Sequence, residues 1–92
     1  MVRHIVMWNL KEENKAENAA EIKRALEALN GQIEGLTHLD VNVGYNGFDL
    51  CLYSEFVSRE AVLFYRDHPL HKACQAIVHA AMTERVVCDC EI

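Results

Sequence analysis

The first predicted strand is apolar on both of its faces, and a chain of 92 residues cannot cover both faces alone. Residues 2–9 are rich in β-branched and aromatic side chains, which favour a strand. Because successive side chains point to opposite faces, one face carries Val2, His4, Val6 and Trp8 and the other carries Ile5 and Met7. A domain this short builds about one layer of helices on one sheet. The second apolar face therefore predicts a partner, most simply a second copy of the chain.

Composition and charge exclude several classes of partner. Hydrophobic residues make up 51% of the sequence, which is high for this size and agrees with a second buried face. The formal net charge is −5 and the nine basic residues are scattered, so neither nucleic acid nor an anionic membrane surface is predicted as a partner. No apolar run approaches the ~20 residues of a membrane span, and the chain starts directly with a strand pattern rather than a secretion signal. We therefore predict a cytoplasmic protein.

The four cysteines fit a reducing compartment. Cys51 and Cys74 are isolated in a predicted strand and a predicted helix, while Cys88 and Cys90 are two residues apart on one face of the last strand. The sequence contains no Cys-x-x-Cys pair and no zinc-type spacing with histidine. The prediction is four small buried side chains. The alternative is that Cys88 and Cys90 bind a soft metal together with those of a symmetry mate.

The periodicity of apolar residues predicts the order β-α-β-β-α-β, with the second helical segment divided by a proline. Strands are predicted over 2–9, 38–45, 48–56 and 84–92, and helices over 13–30, from Ser58 to before Pro69, and over 70–82. Gly31 is expected to cap the first helix, Ser58 to cap the second, and Asn46-Gly47 to form a hairpin turn. This order predicts one α+β domain over residues 1–92 with the ferredoxin-like arrangement, a four-stranded antiparallel sheet with helices on one face.

The segment from Tyr65 to His71 holds the only proline and two of the five histidines. Pro69 pushes His68 out of the α region and so ends the preceding helix. Tyr65 then lies in the last turn of one helix and His71 in the first turn of the next, and such a corner can aim a phenol and an imidazole at one point. His4, on the first strand, is the third candidate for a polar cluster inside an apolar pocket.

Four fragments carry a resemblance to a known family. They are Val2-Arg3-His4-Ile5-Val6, Gly44 before the hairpin, the segment from Leu52 to Ala61, and His68-Pro69-Leu70-His71. In this order and spacing the chain resembles the stress-responsive dimeric α/β-barrel domain (Dabb) family over nearly its whole length. The resemblance implies a homodimer through the helix-free sheet face, in which two sheets form a central barrel with the helices outside.

One branch of that family, the plant polyketide cyclases that make olivetolic acid, promotes an intramolecular aldol condensation by proton abstraction. It uses a histidine of the first strand, a tyrosine and the second histidine of a His-Pro-x-His corner, and these positions match His4, Tyr65 and His71 here. Other members have no known catalysis and are described as very stable, stress-responsive oligomers. Some plant members hold magnesium through backbone carbonyls in the segment that matches Leu29 to Leu36, but this segment has no fixed side-chain signature. No metal and no cofactor is predicted.

Two interpretations of the His–Tyr cluster stay open. In the functional one, His71 is the general base, Tyr65 orients it or donates to an oxyanion, and His4 is a polar wall of the pocket. In the structural one, these side chains bond one another and the loose backbone groups at the helix break. His68 or His71 then satisfies amides or carbonyls there, and His4 bonds Tyr65 across the core. The structural interpretation is favoured because structural polar contacts outnumber catalytic ones and fold analogy does not carry function.

The pocket between sheet and helices is predicted to bind a ligand through Val6, Trp8, Leu26, Phe64 and His68. Trp8 is expected to fill space that a long substrate tail would occupy, since a tryptophan buries up to ~250 Å². We therefore predict a pocket smaller than that of the cyclases. His38 and His79 are expected to be incidental residues on the surface.

Three functional hypotheses follow. The first is a stress-associated domain that binds a small apolar or carbonyl ligand without catalysis. The second is a cofactor-independent cyclase or lyase that acts by general acid-base catalysis on a polyketide-like or other carbonyl substrate. The third is a subunit of a larger ring or cage, given the surplus of apolar surface. A closed apolar pocket favours the first hypothesis. The second requires His71 within hydrogen-bond distance of Tyr65, with one ring nitrogen facing an open cavity.

Overall fold

The computed structural model describes residues 1–92, which form four strands and three helices. In chain order these are β1 Val2–Leu10, α1 Lys15–Glu27, β2 Leu36–Val43, β3 Leu50–Phe56, α2 Arg59–Asp67, α3 Pro69–Ala81 and β4 Met82–Glu91. The strands form one antiparallel sheet in the order β2-β3-β1-β4. The predicted ferredoxin-like α+β fold is confirmed, as is the division of the second helical segment at Pro69. None of the three helices is both long enough and apolar enough to span a membrane.

The central strand β1 shows the two faces that the sequence pattern predicts. Alternate residues of β1 are buried, and those between them are half-buried. The buried set faces the helices and forms the core together with the inner sides of β2, β3 and the three helices. The half-buried set, which includes Ile5 and Met7, lies on the face without helices. The largest fully buried side chains of the core include Tyr65, Phe56, Ile22, Leu26, Leu39, Leu50 and Leu52.

Helix α1 is shorter at both ends than the predicted 13–30. Asn14 at its N-terminal cap has a left-handed φ of 55°, so the helix starts after it. At the other end the Leu29 N–H donates to the Leu26 carbonyl, three residues back, at 3.0 Å. The helix thus gives way to tighter turns. The prediction that Gly31 caps the helix directly was wrong, because its left-handed φ of 79° ends these turns instead.

The β2–β3 hairpin has a longer loop than the predicted Asn46-Gly47 turn, because the strands end and begin outside residues 44–49. The Gly44 N–H donates to the Asp49 carbonyl at 2.9 Å and closes this loop. A Cβ at position 44 would lie 2.1 Å from the Phe48 carbonyl oxygen, so the loop requires glycine there. The Asp49 carboxylate accepts from the last N–H of β1 at 2.8 Å.

Helices α2 and α3 meet at a backbone break set by Pro69. His68, between them, is extended with a ψ of 136°, so α2 stops at Asp67. Helix α3 begins at Pro69 itself, because a proline is tolerated in the first turn of a helix. Ser58 caps α2 as predicted, and its hydroxyl oxygen accepts from the Ala61 N–H at 3.1 Å.

Side chains of α1 and of the turn after it cover the outer edge of β2. Asn30 Nδ2 donates to the Leu39 carbonyl at 2.7 Å, and Asn30 Oδ1 accepts from the Leu39 N–H at 3.0 Å. Glu27 Oε2 accepts from the Val41 N–H at 3.0 Å, and Lys23 Nζ donates to the Val41 carbonyl at 2.6 Å. An open strand edge is a template for pairing with another chain. These contacts therefore close the β2 edge.

We expect Asn30→Ala to lower the free energy of unfolding by about 1–2 kcal/mol, because both backbone groups of Leu39 lose a hydrogen-bond partner. Gln32→Ala is the matched control, since it removes an exposed amide side chain two residues further on, and it should change the stability by less than about 0.5 kcal/mol. Urea denaturation measures both variants. Equal effects would show that the Asn30 contacts do not stabilise the β2 edge.

Candidate functional site

A cavity of about 420 Å³ lies between the sheet and helices α2 and α3. The helices pack mainly over β2 and β3 and against one another, which leaves the helix side of β4 uncovered. Val87 of β4 is accordingly 48% exposed and forms one wall. Polar side chains of β1, α2, α3 and β4 converge on the cavity: His4, Tyr65, Arg66, His71, Gln75, His79, Arg85 and Asp89.

Tyr65 and His71 meet by stacking rather than by the hydrogen bond that the catalytic hypothesis required. Their ring centroids are 4.0 Å apart and their planes are inclined by 27°. The His4 ring approaches the Tyr65 ring edge-on, with centroids 6.0 Å apart. Phe56 completes the cluster at 5.0 Å from Tyr65. The structure thus brings the three candidate residues together, but it contains neither a His71–Tyr65 nor a His4–Tyr65 hydrogen bond.

His71 uses one ring nitrogen to hold the helix corner and keeps the other free. Because a carbonyl only accepts, the contact of 3.1 Å between His71 Nδ1 and the Arg66 oxygen makes Nδ1 the donor. The neutral ring then carries its lone pair on Nε2. Burial lowers the pKa of His71 below its ordinary value of 6.5, and repulsion from His4 and Arg85 acts in the same direction. His71 is therefore neutral near pH 7 and can accept a proton at Nε2.

The Tyr65 hydroxyl is a donor without a partner in the chain, although the residue is only 1% exposed. Burial holds the pKa of the phenol well above its ordinary value of 10.0, so the hydroxyl stays protonated. A protonated phenol beside a neutral imidazole offers one donor and one acceptor within a water-poor site. Such a pair can bind a carbonyl oxygen and can stabilise an oxygen that gains negative charge.

His4 is held by a carboxylate that the sequence did not point to. It lies opposite Asp89 in the β1–β4 ladder, and its Nδ1 donates to the Asp89 carboxylate. A carboxylate on Nδ1 fixes the orientation of an imidazole and leaves Nε2 to act on the other side of the ring. The sequence signal for Asp89 was weak, because only its alternation with Val87 along β4 marks it as facing the helices. The pairing register that brings it to His4 is not readable from the sequence.

Two residues predicted for the pocket lie outside this cavity, which corrects the predicted set. His68 is the N-terminal cap of α3, where its Nδ1 accepts from the Leu70 N–H at 3.1 Å. Phe64 is 52% exposed on the outer side of α2, with its ring edge-on to that of His68 at 5.6 Å. Since Tyr65 points inward, its neighbour Phe64 is rotated by about 100° around the helix, towards solvent.

The remaining predicted wall residues do line the cavity. Val6, Trp8 and Leu26 are all buried and border it from the sheet and from α1. The cavity volume lies towards the low end of the ~300–1,000 Å³ that is typical of small-molecule sites. The indole N–H of Trp8 is buried without a hydrogen-bond partner. A smaller pocket than that of the cyclases stays a prediction.

Further polar residues at the cavity were missed by sequence reasoning. Arg85 lies on β4 opposite Trp8, and Gln75 lines the cavity from α3. His79 is exposed, as expected, but it lies at the cavity rim. The only sequence signal for Arg85 was that it alternates with Val87 on the less apolar side of β4.

The structure offers no ready metal site, since it contains no group of three or more His, Cys, Asp or Glu side chains that could hold an ion. All four cysteines are free. Cys74 is buried and Cys51 half-buried, but Cys88 and Cys90 are exposed, so the prediction of four buried cysteines was wrong for the single chain. The reason is that nothing within the chain covers β4. His38 is an exposed residue that contacts Asp40 at 2.6 Å.

Solved structures share this fold over the whole chain. A dimeric protein of unknown function with a ferredoxin-like fold from Bacteroides fragilis is 31% identical, with a TM-score of 0.91, over 99% of this chain and 95% of that one. A Dabb family protein from Mesorhizobium loti is 20% identical, with a TM-score of 0.82, over 99% of this chain and 95% of that one. A hydroxynitrile lyase from Passiflora edulis is 19% identical, with a TM-score of 0.85, over 99% of this chain and 92% of that one. The last two likenesses show the fold alone.

No curated protein matches the sequence. The family model described as the stress responsive A/B barrel domain, Dabb, matches residues 2–92. This match and the 31% identity to the Bacteroides fragilis protein agree with the resemblance of the four sequence fragments. The chain therefore belongs to the stress responsive A/B barrel domain (Dabb) family.

Proposed function

We propose that this protein binds a small carbonyl compound in the cavity between β1, β4, α2 and α3. The observation that carries the proposal is the Tyr65 side chain, which lines the cavity and whose hydroxyl has no hydrogen-bond partner within the chain. A ligand oxygen that accepts from Tyr65 would supply that partner. The apolar walls formed by Val6, Trp8 and Leu26 suit the carbon skeleton of such a ligand.

A second candidate function, proton transfer at carbon, is favoured by the free Nε2 of His71, although the His71–Tyr65 hydrogen bond that this hypothesis required is absent, so the two groups must act on the ligand separately. In this proposal His71 Nε2 takes a proton from the carbon next to the bound carbonyl. The electron pair of the broken C–H bond forms a carbon–carbon double bond, the π pair of the carbonyl moves to its oxygen, and Tyr65 donates a hydrogen bond to the resulting enolate. The proton is then held on His71 Nε2, from which it can be returned to the product, and His4, oriented by Asp89, is a second imidazole beside the pair. An enzyme that works in this way would be a cofactor-independent cyclase or lyase.

We propose that two copies pair through the helix-free sheet face. This face carries the half-buried side chains of Ile5, Met7, Cys51 and Tyr53. On β4 the same face carries Val86 and Cys88, which lie opposite Met7 and Ile5. The Arg3 Nε atom is buried on the same face without a hydrogen-bond partner. The related protein from Bacteroides fragilis is described as dimeric. Burial of a second apolar face removes the exposed patch that a single chain would keep.

A cytoplasmic location and a part in stress responses are also proposals. The first is supported by the four free cysteines, two of them exposed, which fit a reducing compartment. The second is supported by the description of the family as stress responsive.

We expect Tyr65→Phe to leave the free energy of unfolding within about 1 kcal/mol of the wild type, since the hydroxyl bonds no group of the chain. The same variant should bind a carbonyl ligand about 5–10-fold more weakly, because one hydrogen bond is lost. Denaturant titration and calorimetric binding to phenylpyruvate methyl ester measure the two effects. Lost stability with unchanged binding would mean that the hydroxyl is structural and would overturn the binding proposal.

We expect His71 to make the stability depend on pH. Burial lowers its pKa in the folded chain, so between the folded value and about 6.5 the unfolded chain binds more protons. The free energy of unfolding therefore falls as the pH drops from about 7.5 to about 5.5, and His71→Gln should reduce this fall. His38→Gln removes one imidazole from an exposed site and is the matched control. An identical pH dependence in wild type and His71→Gln would show that His71 is not held neutral.

The catalytic proposal can be tested with His71→Ala once a substrate that the protein turns over has been found. His71→Ala should then lower kcat by about 100-fold or more, as expected for loss of a general base. Unchanged turnover in this variant would remove His71 from the mechanism and leave ligand binding alone.

We expect light scattering to give twice the chain mass of 10.5 kDa at micromolar concentration. Met7→Glu, which places a charge in the helix-free face, should give a single chain, because an unpaired charge is not tolerated inside an apolar interface. Leu70→Glu is the matched control, since it adds the same charge at an exposed site on α3. A folded single chain in the wild type would contradict the dimer, and a larger mass would support a ring or cage.

A further inference from the structure

Arg85 is a cation without an anionic partner at the cavity. Lys15, Lys23, Arg59 and Arg66 each contact a carboxylate, but Arg85 contacts none. Arg3, Lys11, Arg24 and Lys72 also make no carboxylate contact, but none of them lines the cavity. The cavity therefore holds positive charge that the chain leaves unbalanced.

The one carboxylate that lines the cavity, that of Asp89, already has a hydrogen-bond partner. Asp89 accepts from His4 Nδ1 and stands two positions from Val87 on the same side of β4 as Arg85. The second guanidinium of the lining, that of Arg66, contacts its neighbour Asp67 at 3.4 Å. No other acidic side chain lines the cavity. An anion that enters the cavity thus meets the Arg85 guanidinium without displacing a partner.

The position of Arg85 links it to the Tyr65–His71 pair. It lies on β4 opposite Trp8, on the open side of the cavity. Its charge acts on both candidate groups, opposing the burial that raises the pKa of Tyr65 and adding to the burial that lowers the pKa of His71. Tyr65, His71 and Arg85 also line the same cavity. A guanidinium binds a carboxylate through two parallel hydrogen bonds, which fixes orientation as well as charge.

We infer that the ligand is a small oxo acid whose carboxylate binds Arg85 while its carbonyl oxygen is held by Tyr65 beside His71. The inference rests on the proposed function and deepens it, because a carbonyl ligand without an acid group would leave Arg85 unused. Trp8, Val6 and Val87 then contact the carbon skeleton between the two polar ends. The carboxylate lies at the mouth of the cavity, beside the exposed strand β4, and the carbonyl lies deeper.

Three probes of similar size separate the two polar contacts. Phenylpyruvate carries both groups, its methyl ester keeps the ketone without the negative charge, and phenylpropanoate keeps the carboxylate without the ketone. Calorimetry on the full chain gives the affinities. Trp8 is the only tryptophan, so its single indole N–H resonance in nitrogen-labelled protein reports whether a probe enters this cavity.

In the wild type we expect phenylpyruvate to bind more tightly than the ester by about 10-fold or more, as for a hydrogen-bonded charge. Arg85→Gln should remove that advantage and leave the affinity for the ester unchanged, whereas Arg85→Lys should retain part of it. Arg24→Gln, which removes a positive charge from an exposed site on α1, is the matched control and should change neither affinity. Thermal unfolding of each variant verifies that it is folded.

The possible failures are distinguishable. Equal binding of phenylpyruvate and its ester, or an equal loss of both in Arg85→Gln, would overturn the assignment of Arg85 while the carbonyl site stands. Binding of phenylpropanoate as tight as that of phenylpyruvate, unaffected by Tyr65→Phe, would keep the acid contact and overturn the proposed carbonyl function. Absence of binding by all three probes would overturn both proposals.

Discussion

The layer of helices is narrower than the sheet on which it packs, and this difference in width leaves the cavity in which the candidate site lies. Helices α1 and α2 pack over β2 and β3 and α3 packs against those two helices, so the fourth strand keeps its helix side uncovered. Close packing would normally fill such a gap. Here the gap remains as a cavity of about 420 Å³, lined by α2 and α3 on either side of the break at Pro69. The candidate site is this uncovered part of an otherwise ordinary core.

The structural and functional interpretations of the histidines are compatible, because an imidazole has two nitrogens. His71 donates from Nδ1 to a backbone carbonyl at the helix corner, and His4 donates from Nδ1 to Asp89. Each ring is oriented by a structural bond and keeps Nε2 for another partner. His68 lacks this second role, since its contact with the Leu70 N–H lies outside the cavity. Local hydrogen bonds that hold the fold therefore also prepare the site.

The two edge strands of the sheet, β2 and β4, differ in how far other parts of the chain cover them. The β2 edge is closed by Asn30, Glu27 and Lys23, which bond its outward backbone groups. Strand β4 instead exposes Val86 on one face and Val87 on the other. An apolar strand with both faces uncovered is unusual unless a partner covers it. The proposed pairing of two copies would cover the face of Val86, while the cavity uses the face of Val87.

The sequence by itself determined the order of elements, the two-faced strand β1, the break at Pro69 and the inward position of Tyr65, because each depends on local periodicity or on the geometry of one residue. It did not determine the β4 register that sets Asp89 against His4 and Arg85 against Trp8. Nor did it reveal that Tyr65 and His71 stack, or that Phe64 turns outward. The β4 register depends on long-range strand pairing and the Tyr65–His71 stack depends on how α2 and α3 pack across the break at Pro69, whereas the position of Phe64 follows from its offset of about 100° from Tyr65. Only the tertiary structure decided the contacts of His4 with Asp89 and of Trp8 with Arg85, since residues more than 70 positions apart leave no local pattern of their contact.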